Sequence, residues 1–199
     1  MKKILFVLLV VSILGCDDSD EVVIISDELS IQEVEDLQFL KEEEKLARDV
    51  YLFSYDLYQY NVFNNISKSE QSHMDQVSLI LDKYEIQDLS YDERGKFNNH
   101  VLQKLYDDLV SQSSISLEEA IRVGATIEDL DINDIDGFII DTDHEDIEAM
   151  YKVLNCGSRN HMRAFSKNLT NLGEEYEPQF ISLEKYILIL DSTSEKCNL

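Results

Sequence analysis

The sequence predicts an all-α protein of four long helices. An extra short helix is expected in the crossover between the second and third, and a short element after the fourth. Three observations predict this. Capping boxes stand at Ser30–Glu33, Ser67–Glu70, Ser116–Glu119 and Thr142–Glu145, each ahead of a stretch with helical periodicity. Breakers are few, with one proline and six glycines in 199 residues. Within each stretch the apolar residues recur at spacings of three and four, which puts them on one helical face.

The first helix is expected over 31–58, with an inward stripe of Leu37, Leu40, Glu44, Ala47 and Tyr51. The second is expected from about Ser67 to Tyr84, where Glu70 and His73 lead into Val77, Ile80 and Leu81. Residues 85–98, with Gly95, form the main excursion, and the short helix follows from about Asn99 to Ser111. The third long helix should run from Leu117 to about Ile135. Ile121, Ala125, Glu128, Ile132 and Ile135 share a face, with Asp131 close to it. The fourth should run from about Asp143 to Leu172 and stop at Gly173. Its face carries Ile147, Met150, Leu154, Gly157, His161 and Ala164. After Pro178, residues 182–190 read as a terminal helix, although the run ILIL also has strand character. One domain is expected over 31–192 with a tail at 193–199, and that length supports a single apolar core.

Residues 1–15 read as a secretory leader: Lys2 and Lys3, then an apolar run from Ile4 to Leu14 too short to span a bilayer comfortably. Ile13-Leu14-Gly15-Cys16 resembles a lipobox, so Cys16 is the expected lipidation site. Residues 16–30, acidic at Asp17, Asp18, Asp20 and Glu21, would be a solvated tether. This points to a bacterial lipoprotein held to a membrane of the cell envelope, periplasmic or surface-exposed. Loss of Lys2 and Lys3 would lower the net charge of −24 by two, to −26. Such a balance argues against nucleic acid, whose phosphates need Lys and Arg. It suits metal cations, or simply solubility. Cys156 and Cys197 lie in no CxxC pattern, which argues against a zinc–thiolate site. They can pair in an oxidising compartment if the fold brings them together, which the sequence leaves open.

Each long helix carries a carboxylate or imidazole on its inward stripe. Singly, each has a plain explanation. Glu70 is the N3 member of a capping box, Glu44 is the wet outer edge of the EEEK charge run, and Glu128 adjoins Asp129 in a solvated acidic patch. Asp131 is a helix-end acid, and His73 and His161 are ordinary half-buried histidines. Their conjunction on four helices points elsewhere. Buried carboxylates persist when they are paired or bind a cation. Glu44, Glu70, Glu128, Asp131, His73 and His161 together are the donors expected of a di-iron or di-manganese centre in a helical-bundle core.

The stretches EEEKLARDVY, FNNISKSEQSHMDQV, VGATIEDLDI and GSRNHMRAF, followed by PQFIS, resemble the bacterial family known as domain of unknown function 2202. The resemblance covers about Leu37 to Tyr186 and implies a ferritin-like four-helix bundle. More distantly, Glu44-Lys-Leu-Ala-Arg48 and Glu70-Gln-Ser-His73 resemble the first- and second-helix motifs of rubrerythrins. By that resemblance Glu44, Glu70, His73, Glu128 and His161 would be ligands. There is one departure: many ferritin-like proteins carry a second ExxH on the fourth helix, and here Ser158 and Gly157 stand three and four residues before His161. Asp131 or a water would have to fill the gap; otherwise one metal replaces two.

The leading expectation is a membrane-anchored protein with two metal ions, iron foremost and manganese or zinc as alternatives, that reacts with peroxide or dioxygen. Arg48, Asp49 and Tyr51 would steady the ligating carboxylates, or else form a surface pair and core. With no rubredoxin-like CxxC pair, electrons would come from another protein. The alternatives are a non-catalytic metal-binding or interaction lipoprotein, and a purely structural bundle whose inner acids pair with Arg48, Arg159 or Arg163.

Overall fold

The computed structural model describes residues 28–198. The leader, Cys16 and the tether up to residue 27 lie outside them. The described residues form six helices and no strand: α1 (Ile31–Tyr58), α2 (Asn61–Lys83), α3 (His100–Ser113), α4 (Leu117–Asp141), α5 (Glu145–Asn171) and α6 (Leu183–Asp191). The ILIL run is therefore helical. Helix α1 packs on α2 and α4 on α5, while α1–α4 and α2–α5 contacts close the four long helices into a ring. Helix α3 lies against α1 and α4, and α6 against α5. No helix among the described residues is long and apolar enough to cross a membrane.

Helix ends show which start signals the chain uses. At Ser30 the capping box is complete: Glu33 N donates to Ser30 Oγ and Ser30 N to Glu33 Oε2. Ser116 caps α4 through Glu119 N. The other two boxes are not used. Helix α2 begins six residues before Ser67, because Phe63 and Ile66 extend its buried stripe backwards, and Ser67 Oγ bonds Asn64 O from within the helix. This frees Glu70 from capping. Helix α4 likewise runs six residues past Ile135, since Phe138 and Ile139 continue to pack on the core. Thr142 becomes its C-cap, and α5 starts after His144 without a side-chain cap. Gly173, at φ 84°, does end α5: its N–H bonds Thr170 O and that of Glu174 bonds Leu169 O. Such a paired left-handed stop suits glycine.

The core has two apolar clusters. One gathers Ala47, Val50, Tyr51, Phe63 and Phe165; the other gathers Leu37, Leu40, Val77, Leu81, Ile147 and Leu154. Along α1, α2 and α5 the predicted ligands fall at the divide between them, while on α4 Glu128 and Asp131 lie just before it, between Ile127 and Ile132. The run Lys41–Lys45 is buried rather than solvated. Its residues fasten the excursion: Glu42 accepts from Asn98 N and Asn99 N, and Lys45 Nζ donates to Glu93 O and Lys96 O while lying 4.4 Å from the centre of the Phe97 ring. Asp129 plays the same part for the segment after α5, accepting from Tyr176 Oη and from the amides of Gln179, Phe180 and Ile181. Cys156 and Cys197 form a disulfide, with Cα atoms 5.6 Å apart.

Glu33 ties α1 to the α4–α5 junction. Its Oε1 accepts from Thr142 Oγ1 and lies 2.7 Å from His144 Nδ1. Burial works to raise its pKa, but the Ser30 amide, Thr142 and His144 outweigh burial and hold it at about 2. A depressed carboxylate contributes stability fully above its unfolded pKa of 4.5 and loses it as pH falls through the folded value. Glu33→Gln is expected to cost about 1–2 kcal/mol at pH 7, roughly 2–8 °C in Tm. In thermal melts the difference should be full above pH 5 and fade toward pH 2. A constant difference would assign the effect to shape rather than charge.

Candidate metal centre

Between the two apolar clusters, five side chains from four helices converge. Helix α1 brings Glu44, α2 brings Glu70 and His73, α4 brings Glu128 and α5 brings His161. His73 Nδ1 lies 2.8 Å from Glu70 Oε2 and 3.1 Å from Glu44 Oε2. His161 Nδ1 lies 2.8 Å from Glu70 Oε1 and 3.4 Å from Glu128 Oε2. The imidazoles face each other, nearly parallel, with centres 5.6 Å apart. Two triads result, Glu44–Glu70–His73 and Glu70–Glu128–His161, each with ligand atoms within 4.8 Å of one another. Glu70 belongs to both and gives one oxygen to each imidazole.

The polar atoms are close together yet poorly aimed at each other. Glu44 Oε1, both Glu70 oxygens, Glu128 Oε2 and His161 Nδ1 are buried without a hydrogen bond of good geometry. Glu44, Glu70 and Glu128 have no exposed surface. Unpaired buried charge is costly, and atoms that crowd without pairing are the arrangement left when each faces a shared point. Three carboxylates and two imidazoles, with no thiolate, are donors suited to iron, manganese or zinc. On these grounds the residues of each triad fit a metal ion.

The charges of the five side chains lean on one another. Burial raises Glu44, and His73 only partly offsets it. Burial also works to raise Glu70, but the facing charges of His161 and His73 win and hold it well below the usual carboxylate range. Glu128 is pushed up to about 7, chiefly by burial. Burial would lower both imidazoles; instead Glu44 and Glu70 raise His73 well above its ordinary value, and Glu70 and Glu128 bring His161 to about 10.

Neighbours set the orientations. His161 Nε2 lies 3.0 Å from Ser69 Oγ, which turns Nδ1 inward. Tyr51 Oη donates to Glu128 Oε1 at 2.5 Å, as expected of a residue steadying a ligand. A Cβ on Gly157 would stand 2.5 Å from His73 Nε2, so this glycine makes room for the ring. Ser158, which stands where a fourth-helix ExxH would have its carboxylate, bonds Leu154 O through Oγ.

Two expectations need correction. Arg48 and Asp49 do not touch the carboxylates. Arg48 binds Asp49 and Gln71, and Asp49 also takes Lys45 Nζ and Gly95 N, so the pair secures the excursion. Asp131 belongs to neither triad. It is buried beside the centre with both oxygens unpartnered, pushed well above its ordinary pKa by burial and then by Glu43 and Glu44. Glu43, also buried with unpartnered oxygens, was missed. Its signal was present: from Leu40, a step of three reaches Glu43 just as a step of four reaches Glu44.

Comparison with known proteins places this architecture. Residues 33–193 match the family described as an uncharacterized protein domain, DUF2202. Uncharacterized protein MJ0754 of Methanocaldococcus jannaschii is 48% identical over 169 residues, covering 84% of this chain and 91% of that protein. The crystal structure of hypothetical protein MJ0754 from Methanococcus jannaschii DSM 2661 superposes with a TM-score of 0.83 at 49% identity, covering 84% of this chain and 96% of the other. By this match, which spans both triads and the six helices, the chain belongs to the DUF2202 family.

Proposed function

We propose that the ring of long helices is a ferritin-like four-helix bundle holding two metal ions, iron foremost, and that the centre reacts with peroxide or dioxygen. The observation that carries this reading is the set of buried, unpartnered ligand atoms shared between two triads through Glu70. Glu44 and His73 would hold one ion, Glu128 and His161 the other, and Glu70 both. When bound, ferrous iron supplies the electrons that reduce such an oxidant. The chain's own residues do the rest. Tyr51 holds Glu128 at Oε1 and leaves Oε2 toward the centre. Ser69 fixes the ring of His161, and Gly157 lets that of His73 approach. The two apolar clusters wall the carboxylates from water. Electrons would return from an external donor protein, and the lipid anchor at Cys16 would keep the bundle at the envelope membrane.

The test is anaerobic titration of the ferrous-loaded protein with hydrogen peroxide. One peroxide, taking two electrons and two protons to give two waters, should oxidise two ferrous ions, and a reductant should restore them. Tight metal binding without oxidation faster than that of free ferrous ion would favour storage or delivery instead.

A further inference from the structure

The proposed function leaves one covering segment unused. Of the five converging residues, solvent reaches only the imidazoles, His73 at 5% and His161 at 8% exposure. Both, with Gly157, line an open hollow of about 290 Å³. Glu195 and Cys197, from the strap 192–198 that follows α6, line it too.

Three ties hold the strap to α5. Asn160 pairs with it as a neighbouring backbone would: Nδ2 donates to Glu195 O at 3.1 Å and Oδ1 accepts from Glu195 N at 2.9 Å. Arg159 and Arg163 both donate to the Glu195 carboxylate. Cys197 is bonded to Cys156, across a sequence separation of 41. Cys156 and the stretch GSRNHMR thus carry the cover's anchors on the same turns of helix that deliver His161. Arg159 grips the Glu195 carboxylate with two hydrogen bonds and Arg163 with a third, so of the three ties the covalent one is the tie that a reductant can cut. That tie is reachable. Cys156 and Cys197 also border a second hollow of about 480 Å³, beside Lys152 and Lys196.

We infer that strap 192–198 is a redox-released lid over the imidazole edge of the centre. Closed, it confines approach to small species. A dithiol reductant opens it by thiol–disulfide exchange: the reductant's two thiols become a disulfide, and Cys156 and Cys197 become thiols. The strap is then left with Asn160, the partly exposed ion pairs and the bond from Arg163 Nη2 to Ser192 Oγ. The purpose of the lid rests on the metal-centre reading; its existence does not.

The test labels the metal-free protein, cleared of any added reductant, with hydroxyl radicals, which attack charged and neutral imidazoles alike, and reads each of the four histidines by mass spectrometry. His100 is exposed and His144 half-buried, both remote from the hollow. Dithiothreitol, or the Cys197→Ser variant, should raise labelling of His161 and His73 about tenfold and leave His100 and His144 unchanged. Unchanged rates at His161 and His73 would overturn the lid, as would an equal rise at His144, which would mean general loosening. Metal content of the same preparation is read separately: no metal with a positive labelling result sinks the metal centre and keeps the lid.

Discussion

Glu70→Ala is expected to abolish the rise in melting temperature that ferrous or zinc ion gives the wild-type protein. Glu70 is the residue common to both triads, with one oxygen toward each imidazole and neither oxygen hydrogen-bonded. A ligand that binds only the folded state at a hundred times its Kd stabilises by about 2.7 kcal/mol. Two ions would contribute about 5 kcal/mol, and for a chain of this size that is roughly 10–20 °C. The readout is the metal-dependent shift and not the melting temperature itself. The variant also strands His73 and His161, which changes the metal-free baseline. A Glu70→Ala protein that still gains the full shift would show that the ions bind elsewhere, for instance on the acidic surface.

Gly157→Ala is expected to weaken metal binding about 10- to 100-fold while the fold persists. On an exposed helix the substitution would stabilise by about 1 kcal/mol, since glycine is a poor helix former. Here the added Cβ stands 2.5 Å from His73 Nε2 and 2.6 Å from Cε1, inside contact distance. The ring must swing away, and Nδ1 then leaves its place beside Glu44 and Glu70. The loss should fall on the triad containing His73. Calorimetric titration should show two sites of similar affinity in the wild type, and one strong and one weak site in the variant. Equal weakening of both would mean that the substitution acts through α5 as a whole.

Much of this was legible in the sequence, for identifiable reasons. Ser30 and Glu33 announced the start of α1 because a complete box satisfies two amides at once. Helical spacing put Glu44, Glu70, His73, Glu128 and His161 on inward faces, and the structure brings those five together. The errors came where tertiary packing overrode local signals. Ser67–Glu70 has the form of a cap, yet burial of Phe63 and Ile66 pulled the start of α2 back to Asn61. Thr142–Glu145 has it too, but Glu33, far off in sequence, claims the threonine. The EEEK run looked like a wet face because a local pattern does not show residues 93–99 folding back over it. Arg48 and Asp49 pair with each other, as the alternative reading had it, but Asp49 is buried under the same excursion. The Cys156–Cys197 pairing needed the three-dimensional path of residues 173–197, which no spacing encodes.

The central claim is that the buried donors hold two ions. Its most direct measurement is elemental analysis of the purified protein from iron-supplemented cells, beside the Glu70→Ala, His73→Ala double variant. The account predicts close to two metal ions per wild-type chain, mainly iron, and loss of both in the variant. A metal-free wild type that cannot be loaded, with a variant equally stable, would contradict it and leave the inner acids as parts of a structural core.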